Sequence, residues 1–438
     1  MKKNALLILG IYSILSIQAQ ETNQLLNHEH CGFDKSKQIQ KQTPGFLEEH
    51  EKLDVFTKEF SSIVNEKNEK SVTITIPIVF HVNKNSSPTQ VTMQQINSAI
   101  AILNEDFSAT NSGFSSLRPE FQSIAANVGI QFCLATIDPN GNSTTGVTYH
   151  TNNYDGREPD DLGTTIKTLS GWPCNKYLNI WTCSDPAGNG DLYQSGWAFL
   201  PYTPYANAGI DGIIYNDKYL GKYGTGAAAF NDSYNSHMCH VLTHEIGHYL
   251  NLNHTFENYC SSPGDEVSDT PPVYYQGSNN CEQLGTKCSS VSLVNDENYM
   301  DYTPCPAMYT NGQKTRILAA LNSNIAYRKN LWTEANLLEV GCSTASNELS
   351  TLSMRSNFSI SPNPSNGSFQ ISYNSFDNSQ YIIEIQDLMG RVILKEVVVF
   401  KIGNNELNLL MNTSEVGVYN CIILTNKNER IVKKIVIL

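Results

Sequence analysis

Residues 244–254 read HEIGHYLNLNH and gather metal-binding and proton-transferring side chains in one short segment. His244 and His248 are four apart, so a helix carries both imidazoles on one face. Two neutral imidazoles at that spacing can hold one zinc ion. Glu245 follows the first of them directly, where its carboxylate reaches water near the metal rather than the metal. There it can take a proton as water attacks a carbonyl carbon and hand it to the departing amine. A third ligand is required, and His254 supplies it six residues after His248. A helix continuing to that point would turn the third imidazole to another face, so the chain must leave the helix first. Asn251 suits the exit, because asparagine tolerates the left-handed backbone of a helix C-terminus better than other non-glycine residues. A purely structural zinc needs no base and usually has four protein ligands, so Glu245 argues for catalysis. His237 and His240 lie just upstream, but no glutamate follows either, and they read as ordinary helix residues.

The elements that must hold these groups are those of a mixed α/β (α+β) domain. VTITIPIVFHV (72–82) is rich in β-branched residues and reads as a central strand. A helix follows, with Ile96, Ile100, Leu103 and Phe107 at helical spacing and Thr92 as its N-cap. Further strands are expected at 128–135, 176–183, 196–201 and 212–216, and the helix of the histidines over about 237–250. From 257 to 302 the chain is dense in Cys, Pro, Gly and Asp and reads as loop, before a helix at GQKTRILAALNSNI. A Ser/Thr-rich linker spans 344–356. Residues 357–438 are short strands between turn residues, the pattern of a small all-β sandwich.

The chain has 438 residues and a net charge of −13, so it lacks the excess of Lys and Arg that a general nucleic-acid binder needs. Lys2 and Lys3, the short apolar run to Ile17 and the small Ala19 form a signal peptide over 1–20. That run is shorter than the roughly 20 apolar residues a spanning helix needs, and no other stretch qualifies as a membrane span. Residues 21–70 are polar and charge-rich and read as a pro-segment or flexible leader rather than core. The domain of the histidines is then expected over 71–343. Eleven cysteines fit an oxidising compartment, and the odd total leaves at least one thiol outside intramolecular disulfides.

On these residues the chain resembles the metzincin metallopeptidases, and among them the pappalysin family, over about 72–342. Metzincins carry HExxHxxGxxH, with Asn251 here in the place of the glycine. They also have a methionine-containing turn beneath the metal, which NYMDYTPC (298–305) resembles. The resemblance implies that Met300 floors the site and that Tyr302 swings toward the tetrahedral intermediate. A phenol near a zinc site can independently be read as a donor to a developing oxyanion. GDEVSDTPP (264–272) is similar to a region that holds calcium in pappalysins, which implicates Asp265 and Thr270. Chemically, Asp265, Glu266 and Asp269 suit either a hard cation or a solvated acidic turn. The resemblance further implies the disulfides Cys260–Cys288 and Cys281–Cys305, a connectivity that spacing alone does not fix. Some members prefer Arg or Lys just after the scissile bond through an Asp before the last of these cysteines. Pro304 stands there, so that preference is not carried over. Cys31 in HEHCGF matches the metzincin cysteines that ligate zinc from a pro-segment and keep the enzyme latent; it reads equally as an incidental leader cysteine.

SPNPSNG (361–367), DLMGR (387–391), Gly417 to Tyr419 and the terminal VKKIVIL resemble the C-terminal sorting domain of the type IX secretion system. Together these readings imply a precursor exported through the periplasm to the exterior or the cell surface. Its partners are the secretion machinery and protein or peptide substrates, cleaved with one catalytic zinc and a structural calcium.

Overall fold

The computed structural model describes residues 31–66, 73–84, 91–151, 156–157, 160–222, 238–261, 263–274, 286–288, 294–342, 358–375, 379–387, 391–401, 403–411, 416–424 and 430–438. The expected signal peptide, linker, His237 and Cys281 lie outside them. The chain divides into two compact units, one running to Val340 and the other made of Gly341–Leu438 with Gly141–Ser143.

The first unit is built on a six-stranded sheet. Its central strand, β1 (Ile74–Lys84), pairs in parallel with β2 (Ile130–Leu134) and then β3 (Val147–Thr151) along one edge. On the other edge it pairs with β4 (Leu178–Cys183). The antiparallel strand β5 (Gly196–Ala198) ends the order β2-β1-β4-β6-β5, where β6 is Ile213–Asn216. β3 was not anticipated, because VTYHT alternates too weakly to stand out from its polar surroundings. Parallel strands need cover on both faces, which explains the unbroken apolar run of β1. One face packs α3 (Met93–Phe107) and the helix of the histidines, α4 (Val241–Tyr249), through Ile76, Ile78, Phe80, Leu103, Leu242 and Ile246. Thr92 caps α3 by accepting from Gln95 N at 3.1 Å. The other face buries Trp181, Trp197, Phe199 and Ile214.

Residues 33–66 are not a flexible leader. They form α1 (Phe33–Gln42) and α2 (Phe46–Glu66), and Phe33 and Phe46 join the aromatic core beside Trp181 and Trp197. Burying each phenyl ring contributes about 1.5–3 kcal/mol, enough to hold a polar segment on the domain. The helix α5 (Asn311–Asn322) closes the unit, started by a capping box in which Thr310 accepts from Gln313 N and Gln313 Oε1 accepts from Thr310 N.

The second unit is all antiparallel. A three-stranded sheet has the order β7 (Phe358–Ser361), β8 (Ser368–Ser375), β11 (Gly403–Leu410). A four-stranded sheet has the order β10 (Val392–Phe400), β9 (Ser379–Gln386), β12 (Gly417–Leu424), β13 (Arg430–Ile437). Ile371, Tyr373, Ile383, Ile385, Ile423 and Ile435 fill one core between them, as a small sandwich requires. Among the described residues no helix is long and apolar enough to cross a membrane.

Candidate metal centre

The helix α4 is shorter at its start than its sequence suggests: it begins at Val241, after a tight turn through His240. Two side chains fix that start. The carboxylate of Asp106, from the last turn of α3, accepts from Thr243 Oγ1 at 2.6 Å and pairs with His240 Nδ1 at 2.8 Å. Burial alone would lower the imidazole's pKa; the bond to Asp106 outweighs it and pushes His240 up to about 10. His240 therefore anchors the helix rather than decorating it. The available signal was Asp106 itself, since a carboxylate in a helix's last turn opposes the macrodipole and needs a partner. Replacing Asp106 with Ala takes the acceptor from the buried Thr243 hydroxyl and the partner from His240, whose pKa burial then lowers, and is expected to cost about 3 kcal/mol, read as a fall in Tm with zinc content retained.

One turn later α4 presents His244 and His248. His244 Nδ1 donates to Tyr299 O at 2.7 Å and His248 Nδ1 to Leu252 O at 2.8 Å. A ring nitrogen facing a carbonyl must carry the proton, so both Nε2 atoms hold lone pairs. The helix then ends as a Schellman motif. Asn251 takes φ 76°, Leu252 N donates to Gly247 O at 2.9 Å, and Asn251 N to His248 O at 3.0 Å. This reversal swings His254 back, and His248 Nε2 lies 3.0 Å from His244 Nε2 and 3.1 Å from His254 Nε2. The Asn251 amide has no hydrogen-bond partner on either atom and is buried. Asn251→Gly removes both the left-handed strain and that stranded amide, and is expected to gain about 1 kcal/mol, or a few degrees in Tm.

Two lone pairs at 3.0 Å repel unless a cation lies between them. Nitrogens on a tetrahedral zinc stand about 3.3 Å apart for bonds of 2.0–2.1 Å. The three imidazoles therefore fit zinc on donor type and spacing, and His244 and His248 fit it on tautomer as well. Burial depresses all three: His244 falls to about 4, and His248 and His254 lie well below the ordinary value, so each is neutral and ready to ligate. A fourth donor joins them. Cys31 Sγ lies 3.7 Å from His248 Nε2, and the four donor atoms all fall within 4.8 Å of one another. Phe33 stacks on His248 with centroids 3.6 Å apart and planes at 4°.

Glu245 is fully buried beside this cluster, with no hydrogen-bond partner on either oxygen. Burial pushes its pKa up to about 8, opposed by the neighbouring Cys31 thiol and the Arg157 charge. Met300 lies directly under α4. A methyl group at Gly247 would overlap Met300 Sδ and come within 3.2 Å of Tyr309 Oη, which explains the glycine in HEIGH. Tyr302 packs against His254 with centroids at 4.9 Å, and its hydroxyl donates to the Cys31 carbonyl at 3.4 Å.

Asp265 and Thr270 also meet: Thr270 Oγ1 lies 2.7 Å from Asp265 Oδ2. Burial pushes Asp265 up to about 7. The other two acids of that loop are engaged elsewhere. Glu266 pairs with Arg316 at 2.7 Å, and Asp269 accepts from Thr310 Oγ1 and Gly312 N at the start of α5. Cys260 and Cys288 are joined, and Cys305 is disulfide-bonded.

A family model described as pregnancy-associated plasma protein-A, peptidase M43, matches residues 164–322. One described as a secretion system C-terminal sorting domain matches 359–438. An extracellular metalloprotease of Podospora anserina is 33% identical over 223 residues, covering 50% of this chain and 67% of that one. One from Neurospora crassa is 31% identical over 264 residues, covering 59% and 77%. Mature mirolysin of Tannerella forsythia, solved with a cleaved peptide, superposes with a TM-score of 0.52 at 31% identity, covering 62% of this chain and 99% of that one. A promirolysin mutant superposes with a TM-score of 0.56 at 28% identity, covering 70% and 98%.

Proposed function

Because the chain belongs to the pappalysin (M43) family of extracellular metallopeptidases and ends in a secretion sorting domain, we propose that it is the latent precursor of a zinc-dependent endopeptidase. The observation that carries this reading is the convergence of three neutral imidazoles with a buried, unpartnered glutamate directly beside them. His244, His248 and His254 would hold the zinc, which polarises a scissile carbonyl and acidifies water when bound. Glu245 takes the proton from the attacking water. A buried carboxylate is a stronger base than an exposed one, and with both oxygens unengaged it can pass the same proton to the leaving amine. The Tyr302 hydroxyl, now on the Cys31 carbonyl, is suited to donate to the substrate oxygen as negative charge develops there. Met300 supports α4 from below.

Four protein ligands would ordinarily mark a structural zinc. Here the fourth, Cys31, belongs to the pro-segment, so its departure opens the position a substrate needs. The greater coverage by the pro-form relative, 70% against 62%, supports reading 21–70 as that segment. The signal peptide 1–20, a catalytic domain over 71–343 and a sorting domain over 357–438 complete the scheme. Calcium at Asp265 and Thr270 belongs to the same proposal, supported by a buried carboxylate bonded to a hydroxyl. It predicts a Tm that rises with calcium and ceases to do so in Asp265→Asn.

The test is metal analysis of the activated protein together with casein and gelatin hydrolysis. One zinc per chain is expected. A chelator should abolish cleavage and added zinc restore it. A metal-loaded protein that cleaves no protein or peptide, but hydrolyses a cell-wall amide, would sink the endopeptidase reading.

A further inference from the structure

Beyond His248 the backbone leaves α4, and the peptide unit between Asn251 and Leu252 decides where His254 arrives. Its N–H is fixed from α4, since Leu252 N donates to Gly247 O at 2.9 Å. Its carbonyl is fixed from outside the motif: Arg316 Nε, on α5, donates to Asn251 O at 2.6 Å. A peptide unit is planar, so holding both ends sets its orientation and, with φ 76° at Asn251, the course of the chain beyond it. The next carbonyl, that of Leu252, accepts from His248 Nδ1 at 2.8 Å, and His254 follows two residues later. The Asn251 carboxamide adds no hold of its own, being buried without a partner on either atom. The carbonyl of Tyr249, the last helical residue, is met separately by Arg328 Nε at 3.1 Å, so Arg316 serves the exit rather than the helix.

The guanidinium is itself gripped. Arg316 is only 4% exposed, and its Nη2 donates to Glu266 Oε2 at 2.7 Å and pairs with Asp54 Oδ1, on α2, at 2.9 Å. The start of α5 is fixed in turn by Asp269, which accepts from Thr310 Oγ1 and Gly312 N. One side chain thus ties the helix exit to the loop of Glu266 and to α2. A planar fork can serve a carbonyl and a carboxylate at once, which a single ammonium does poorly.

Resting on the metal ligation in the endopeptidase reading, we propose that Arg316 is a positioning residue of the metal centre. It fixes the exit peptide that brings His254 to the other two imidazoles, and so governs how long the ion is held. Two imidazoles four apart on one helix stay converged whatever the exit does. The third depends on the exit alone, and an ion left with a wandering third ligand is lost more readily. Glu266 and Asp54 act on the centre only through the guanidinium.

The experiment places the zinc-loaded, activated protein in excess chelator, well below its Tm, and follows zinc release with a zinc-responsive dye. Arg316→Gln, Arg316→Lys and Ile130→Ala are compared with the unaltered protein. Ile130 is fully buried on β2, at the end of the sheet order opposite β5, so its truncation lowers Tm through the core. Arg316→Gln should release zinc about tenfold faster, and Arg316→Lys about threefold, because the ammonium replaces part of the fork. Ile130→Ala should release zinc at the unaltered rate despite its lower Tm. Should Arg316→Gln fail to fold, Arg316→Lys carries the comparison. Unaltered release in the Arg316 variants would overturn the positioning role, and latency lost in their precursors would then assign Arg316 to docking α2. Equally fast release from Ile130→Ala would overturn it as well, since stability alone would then set retention. The measurement needs no substrate. An unaltered protein that holds zinc but cleaves nothing sinks the endopeptidase reading, while the release rates still decide the role of Arg316; one that binds no zinc overturns both.

Discussion

Glu245→Ala is expected to lower kcat by about 10³-fold while one zinc per chain remains bound. The two halves of that expectation have separate physical grounds. The donor atoms that converge are the Nε2 atoms of His244, His248 and His254 with Cys31 Sγ, and Glu245 is not among them. Metal affinity should therefore survive. The carboxylate that is lost is the fully buried one beside the cluster, placed to accept a proton from water and return it. The change should not destabilise the protein, because Glu245 is buried with both oxygens unpartnered. Its pKa is raised from 4.5 to about 8 in the folded state, so folding favours the protonated form. In zinc-free protein the native carboxylate then costs little below pH 4.5, increasingly more up to about 8, and its full penalty above that. The Tm advantage of Glu245→Ala over the unaltered protein should grow across that window. A variant with unchanged turnover would remove Glu245 from the mechanism; one that loses its zinc would make the residue a structural support instead.

Cys31→Ser should release activity from the uncut precursor. A hydroxyl is a far poorer zinc ligand than a thiolate, while Phe33 and the contacts of α1 remain. If the Sγ contact contributes about 3 kcal/mol, the segment leaves the metal about 10²-fold more often without it, and hydrolysis of a short peptide by intact precursor rises in proportion. Precursor and mature chain are distinguished on a gel at the start of the assay. Equal latency in the two proteins would mean that the helices alone occlude the cleft, leaving Cys31 without a role as a latch.

The convergence of the three imidazoles was largely legible in the sequence because the candidate site is local. His244, Glu245, His248, Asn251 and His254 sit within eleven residues, and one helix with one left-handed exit brings the ligands together. The strand β1 was legible for a different reason: burial on both faces makes it apolar throughout. The helices of residues 33–66 were not legible as structure. Of these, α1 buries Phe33, Ser36, Lys37 and Gln40, a helical face with one apolar residue. The other three are held by hydrogen bonds. Ser36 accepts from Arg157, Lys37 donates to Asn253 at 2.7 Å, and the Gln40 amide pairs with both N and O of Leu200. Hydrophobic periodicity cannot see a face docked by polar groups, and each partner is more than one hundred residues away. His240 was misjudged likewise, because its partner Asp106 lies on another helix.

The strand β5 pairs with β6 on one side and with the backbone at Cys31 and Gly32 on the other. If the segment is removed as proposed, a sheet edge is uncovered as well as the cleft, and an open edge will pair with any extended chain that reaches it, including another copy's. The mature enzyme should consequently be more prone than its precursor to self-association and self-digestion as concentration rises. On the same reading the uncut chain would be the form suited to accumulating before export, and release into a dilute exterior would make the uncovered edge tolerable.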